Sequence, residues 1–338
     1  MQKRIFMLLS LLCALTLTGC KDNQTPQISE TTQPVTQEIT LPASNTSSTE
    51  TAPSPIPFSF SDLEHYEFLF ASGAGGWGTV LYIQPDGSFT GNFRDSESET
   101  GPGYPNGAVT YCDFSGKFGA PVPVDTYTYS LPIEQLQYAH QPGTEEIKDG
   151  ILYRYAAAHG LSGTDALLLY LPGATVAELP ADFTQWFGYQ LTDTEQLPFY
   201  GLYDQSNWYC YSGTDVVQEI RRQVAEAEET DAKLYAQLQT AATQADMNTA
   251  AYNRFILWDG ILNELWQILK QILPEAEMRQ LTNEELAWIK EKEQAVADAG
   301  AEVEGGSLYP SVTNGLAATM TRDRVYVLLE YLPDNQEN

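Results

Sequence analysis

Trp208-Tyr209-Cys210-Tyr211-Ser212-Gly213-Thr214-Asp215-Val216-Val217-Gln218-Glu219-Ile220 is the stretch in which the chain changes its period. Upstream of Ser212-Gly213 the pattern alternates, as on a half-buried strand. Downstream, Val217, Ile220, Val224, Ala227, Leu234 and Leu238 recur at mostly three- and four-residue steps, the stripe of an amphipathic helix. Thr214 or Asp215 caps that helix, because a short oxygen-bearing side chain takes up N–H groups that a first turn leaves free. The fold class is therefore α+β: an N-terminal antiparallel β meander or barrel-like domain over residues 61–212, then a C-terminal α-helical bundle over 213–333, with a tail at 334–338.

Working back from the boundary, Tyr66–Phe70 and Trp77–Ile83 alternate, and Pro85-Asp86-Gly87 turns the chain into Ser88–Phe93. Asp-Gly between alternating runs is a hairpin signal. A polar loop from Arg94 to Gly107 leads to strands at Ala108–Phe118 and Thr126–Leu131, and glycines such as Gly91 and Gly116 relieve bends and close approaches. Ile133–Tyr138 and Thr175–Trp186 read as short helical pieces around a buried strand at Asp165–Leu171, and Leu197–Tyr203 closes the sheet. The Gly76-Trp77 start and the Asp-Gly-Ser-Phe-Thr-Gly hairpin resemble the opening of up-and-down barrels of the lipocalin and avidin kind over about two strands. They also resemble an N-terminal module of uncharacterised lipoproteins from Gram-positive anaerobes.

Working forward, a second helix carries Phe255, Trp258, Leu262, Leu265, Trp266, Leu269 and Leu273 on one side and Ile256, Leu257, Ile261, Ile268 and Ile272 on another, so it is buried between neighbours. Leu273-Pro274 ends it, since proline has no donor for the next turn. Thr282-Asn283-Glu284-Glu285 fits a capping box for a third helix, Gly300 and Gly305-Gly306 stop that helix, and Ser307 caps a fourth that runs to about Leu332.

At the start of the chain, Lys3 and Arg4 precede an apolar run from Ile5 to Leu17, too short for an ordinary spanning helix and shaped like an export signal. Its end, Leu17-Thr18-Gly19-Cys20, resembles the bacterial lipoprotein lipobox, so Cys20 is the expected lipidation site and residues 1–20 the signal peptide. Residues 21–60 are rich in Thr, Ser, Gln and Pro and bury too little to offset ordering, which makes them a disordered tether reaching on the order of 30–40 Å. The expected location is the extracytoplasmic face of the cell membrane, reached through the lipid alone.

After removal of that signal, 15 basic and 45 acidic residues leave a net charge of −30. This excludes nucleic acid and anionic lipid heads as partners and favours cationic ones, unless the acid serves only to keep an exported body dispersed. Cys112 and Cys210 remain in the mature chain, and an oxidising address leaves two arrangements open, one disulfide or two buried thiols. With no CxxC or Cys/His cluster, and with His65, His140 and His159 far apart, neither metal nor cofactor is expected. The acidic run Arg94–Glu99 lacks the ligand register of a calcium loop and reads as solvated. The aromatics Trp77, Tyr104, Tyr111, Tyr127, Tyr129, Trp186 and Trp208 are either core or a saccharide-stacking face, and only their exposure decides which.

The helical landmarks carry a more specific resemblance. Trp258-Asp259, Asn263, Ala287-Trp288-Ile289, Gly305-Gly306-Ser307, Thr321 and Arg324, in this order and spacing, resemble the LprI-like lysozyme inhibitor family over about 75 of 338 residues, or about 115 with the preceding helix. Two departures stand out. Positions such as Ala297 and Ala317 replace the cysteines of many relatives, and Glu285-Leu286 replaces the usual Gln-Arg. The resemblance implies a binding protein for lysozyme, itself cationic. Read on their own, the same residues make structural sense: Asp259 or Asn263 bonding to Arg324, Trp288 in the core, and Gly306-Ser307 as turn and cap. No nucleophile–base–acid set is visible, so an enzyme is not expected. The function expected is a lipid-anchored extracytoplasmic binding protein, lysozyme-inhibitor-like, of a Gram-positive bacterium. Its partner would be lysozyme or another cationic envelope protein. The alternative is an envelope ligand- or glycan-binding protein that uses the β domain, with the helices as scaffold.

Overall fold

The computed structural model describes residues 54–73 and 75–333; Cys20, the signal and most of the tether lie outside them. The β domain contains β1 (Tyr66–Ala71), β2 (Trp77–Ile83), β3 (Ser88–Glu97), β4 (Ala108–Phe118), β5 (Val122–Pro123), β6 (Thr128–Tyr138), β7 (Glu145–Lys148), β8 (Ile151–Tyr155), β9 (Ala166–Tyr170), β10 (Gly201–Asp204) and β11 (Tyr209–Asp215). Eight of them close an antiparallel barrel in the order β1-β2-β3-β4-β6-β9-β10-β11, with β11 returning to β1. The meander expected from the sequence is thus a closed ring, which leaves no open edge among these eight strands. β5 lies on the outside of β6, and the β7–β8 hairpin extends the wall by a parallel pairing of β8 with β4.

Local chemistry fixes the register. At the β2–β3 turn, Gly87 adopts φ 80° and Asp86 Oδ1 accepts from Ser88 N at 2.9 Å, so Ile83 pairs with Phe89 and alternation carries the same face inward along both strands. Phe68, Leu81, Phe89, Phe114, Leu131, Leu167, Leu202 and Tyr211 fill the interior as one packed cluster. A Cβ on Gly91 would run into the Val80 carbonyl and the Phe114 ring, and one on Gly116 into the Gln135 carbonyl and the Phe89 ring. These two glycines are where the wall is pinched.

Ile133–Tyr138, expected to be helical, is the second half of β6. Its backbone bonds to β4 from Phe118↔Ile133 to Phe114↔Tyr138 and closes the barrel. Ile133 and Leu136 stand three apart, a spacing a strand tolerates, and the unpaired β4 edge outweighs that weak periodicity. Thr175–Trp186 does contain a 3-10 turn at Val176–Glu178 and a short helix, α1 (Ala181–Trp186). Together with Phe183, Phe187 and Leu197, this segment covers the outer faces of Tyr170, Tyr203 and Cys210 as a second small core. The run Arg94–Glu97 continues β3, and Arg154 holds both Glu97 and Glu99. Within the stretch read as tether, Phe58 and Phe60 stack on Tyr129 and Phe118, and Tyr129 donates to the Ile56 carbonyl at 2.6 Å.

Four long helices follow: α2 (Val216–Thr240), α3 (Gln244–Ile272), α4 (Glu275–Ala301) and α5 (Tyr309–Leu329). β11 passes into α2 without a linker. Asp215 is both the last residue of the strand and the cap, accepting from Val217 N and Gln218 N at 3.0 Å. α3 packs on both α2 and α5, and α4 packs on α5. The core between them is Val217, Ile220, Val224, Trp258, Leu265, Leu269, Leu281, Val325 and Leu328. The two apolar sides of α3 reflect its two neighbours, although Ile256 is 45% exposed. No helix among the described residues is long and apolar enough to cross a membrane.

Candidate functional site

The family landmarks gather on α3, α4 and α5, and most of them are interior. Trp258 is fully buried in the bundle core with no protein partner for its Nε1, and Thr321 is equally buried with no partner for its Oγ1. Arg324 donates through Nε to Glu285 Oε2 at 2.8 Å, a pair between α5 and α4. Its guanidinium also stands 5.8 Å from the centre of the Trp288 ring, and Lys292 Nζ lies 4.6 Å from the same ring. Trp288 is half-buried at the edge of the core rather than inside it.

Several expected roles are corrected by this geometry. Asp259 and Asn263 do not reach Arg324; Asn263 Nδ2 donates to the Asp259 carbonyl at 2.7 Å and to its Oδ2 at 3.2 Å, one turn apart at the surface of α3. Thr282 caps nothing, because α4 already starts at Glu275 behind Pro274, and its Oγ1 donates back to the Met278 carbonyl at 2.7 Å. Glu285, expected to close that capping box, is the buried partner of Arg324. Ser307 does not cap α5, whose N-cap is Leu308 with Pro310 in the first turn; the Ser307 carbonyl instead accepts from Asn248 Nδ2 at 3.3 Å. Gly305, at φ 73°, and Gly306 form the turn between α4 and α5 as expected.

Cys112 and Cys210 are free thiols. Cys112 faces the barrel interior and Cys210 the outer core beneath α1, with β6, β9 and β10 between their strands. At about 4.8 Å per strand step, the Cα atoms stand well beyond the roughly 7 Å that a disulfide spans. Burial pushes the Cys112 thiol up to about 11 and Cys210 to about 12, with Asp113 and Asp182 respectively adding to the effect.

The sequence reading passed over a second buried ion pair. Arg254 on α3 clamps Asp231 on α2 with Nε–Oδ1 at 2.7 Å and Nη2–Oδ2 at 2.9 Å, over the ring of Tyr235 at 5.0 Å. Its signal was the gap between Ala227 and Leu234 in the α2 stripe, centred on Asp231, where a carboxylate occupies a core position and requires a buried cation. Nearer the surface, Arg322 makes a two-pronged bond to Glu228 at 2.6 and 3.1 Å, and Tyr326 donates to the same carboxylate.

One group of side chains open to a partner lies at the far end of α4 and on the turn that follows. Glu291, Glu293, Asp298, Glu302 and Glu304 are exposed there, and none of these five takes part in an ion pair among the described residues. Beside them Leu308 is 48% and Tyr309 42% exposed. The bundle, residues 213–333, has 10 basic and 20 acidic residues, and the barrel domain, residues 54–212, has 4 and 19. The surplus of acid is therefore at least as heavy on the barrel as on the helices.

The barrel aromatics divide. Tyr129 is core, whereas Trp77, Trp186 and Trp208 line an open cleft of about 480 Å3 floored by Phe70 and Tyr209. His159 packs beneath it, 5.0 Å from Trp77 and 5.5 Å from Phe70 between ring centres, and burial lowers its pKa. Among the described residues no group of three or more potential ligands is placed to hold a metal ion.

Neither a curated protein nor a solved structure matches the chain. Residues 235–328 match the family described as Lysozyme inhibitor LprI, and they contain every one of the helical landmarks from Trp258 to Arg324. The helical bundle that follows this eight-stranded barrel thus carries an LprI lysozyme inhibitor domain.

Proposed function

We propose that the protein is an extracytoplasmic binding protein, held to the membrane by lipid on Cys20, that captures and inhibits lysozyme through its helical domain. The observation that carries this reading is the family match over residues 235–328. The charge pattern supports it, since a chain with 45 acidic residues attracts a cationic enzyme over a distance of about one Debye length, and the attraction adds chiefly to the association rate. The contact surface in this reading is the end of α4 and its following turn. There Glu302 and Glu304 supply charge, and Leu308 and Tyr309 supply apolar area that is otherwise left in water. The protein acts by binding, without covalent chemistry of its own.

The test is a titration of the full chain into a c-type lysozyme at about 50 and about 300 mM salt, with cell-wall lysis measured in parallel. Binding that weakens with salt, and by about tenfold or more in E302K/E304K, is the expected result. Absence of binding at both salt concentrations rejects the reading. For the anchor, labelled palmitate should enter the protein and be lost in C20A; incorporation that persists in C20A rejects that site.

A further inference from the structure

We infer that the cleft at the mouth of the barrel is a binding site for a neutral oligosaccharide, whose sugar rings lie against the indoles of Trp186 and Trp208. Independent observations converge on this ligand. The first is exposure: Trp186 is 43% and Trp208 63% exposed, whereas Trp77, Trp258, Trp266 and Trp288 are buried or half-buried, so two large apolar side chains meet water inside one concavity. The second is presentation. Trp208 holds φ 59°, a conformation that costs a bulky residue energy, and buried Asp204 enforces it. The Asp204 carboxylate accepts from Ser206 N at 2.8 Å, Asn207 Nδ2 at 2.7 Å and Thr164 Oγ1 at 2.6 Å, while its carbonyl accepts from Trp208 N at 2.8 Å. The tip of the β10–β11 hairpin is thus fixed so that the indole stands out from the wall.

Polar groups on the cleft narrow the ligand class. Asn207 commits its Nδ2 to Asp204 and keeps its amide oxygen, while the Gln185 amide and the Asp182 carboxylate have no side-chain partner among the described residues. They can accept from, and in the case of Gln185 also donate to, hydroxyl or acetamido groups at the edge of a ring whose C–H face rests on indole. No basic residue lines the cleft, and the barrel domain carries only 4 basic residues against 19 acidic ones, which excludes phosphorylated or otherwise anionic ligands. A quaternary ammonium ion needs aromatic faces within about 6 Å on several sides, whereas this cleft is open and large for such a group. At about 480 Å3 it falls in the range of small-ligand sites and has more room than a single small cation fills.

The full chain titrated with tri-N-acetylchitotriose, cellotriose and tetramethylammonium, followed by calorimetry and indole fluorescence, decides the matter. Saturable binding of at least one trisaccharide is expected, weakened about tenfold or more in W208A and in W186A. Near-UV circular dichroism and thermal midpoints close to those of the parent confirm that the variants fold, and D182A and Q185A provide milder polar substitutions. Failure of both trisaccharides to bind overturns the proposal. So does binding that survives both tryptophan substitutions, or binding of the ammonium ion alone.

Discussion

Arg324 and Glu285, 39 residues apart in sequence, join α5 to α4 through a 2.8 Å bond, with side-chain exposures of only 10% and 8%. Glu285 is thus the residue that neutralises a nearly buried arginine. Removing one member leaves the other charge desolvated and alone. E285A is expected to destabilise the fold by about 3–5 kcal/mol, and E285M/R324M by clearly less than the sum of the single changes. Urea unfolding of the four proteins checks this, and additive losses would show that the pair is not coupled.

The Asp231–Arg254 clamp gives a parallel expectation for α2 and α3. R254K keeps the charge but not the two-pronged geometry, so it should lose about 1–3 kcal/mol, while D231A should lose more. Thermal unfolding monitored by helix circular dichroism reads both. A fully tolerated D231A would mean that Arg254 finds water or another acceptor.

Both cysteines should behave as inert thiols. Mass spectrometry under native conditions should show no intramolecular disulfide and very slow alkylation at pH 8, with two thiols becoming reactive in denaturant. Rapid native alkylation of Cys112 would contradict its place inside the barrel.

His159 gives the barrel a dependence on pH. Burial favours its neutral form in the folded state, so the unfolded chain binds the proton more readily. The stability that this contributes is fully present above the unfolded value near pH 6.5 and is lost as the pH falls through the lower folded value. The thermal midpoint of the barrel should therefore fall between about pH 7 and pH 5, and H159F should flatten that part of the curve. A parent curve that is already flat there would show that His159 does not report burial.

Features set by neighbouring residues were legible in the sequence. The Asp86-Gly87 turn fixes the β2–β3 register, Asp215 starts α2, and Pro274 separates α3 from α4, each through bonds within a few residues. Features settled by distant parts of the chain were not. Ile133–Tyr138 is a strand because β4 offers it an edge, and Thr282 lost its capping role because the helix from Pro274 had already passed through it. Arg324 met Glu285 and not Asp259 because α5 lies against α4 as well as α3. Of the candidate site, the landmarks were readable as a family pattern but not as surface or interior. The cleft was visible only as a set of aromatics whose exposure no local pattern encodes.

The closure of the barrel by β1 against β11 has a mechanical consequence. β1 lies between β2 and β11, with backbone pairings to Leu81 and Gly213 on either side of Phe68. A pull on the chain ahead of residue 54 enters β1 at Tyr66, and α2 leaves through Asp215, the direct partner of Tyr66, so both attachments load the same end of the β1–β11 ladder. A ladder loaded from one end opens pair by pair instead of failing all at once. The β1–β11 seam is therefore the part of the barrel that yields first, and stepwise, under tension between whatever holds the chain from its N-terminal side and whatever the helices grip.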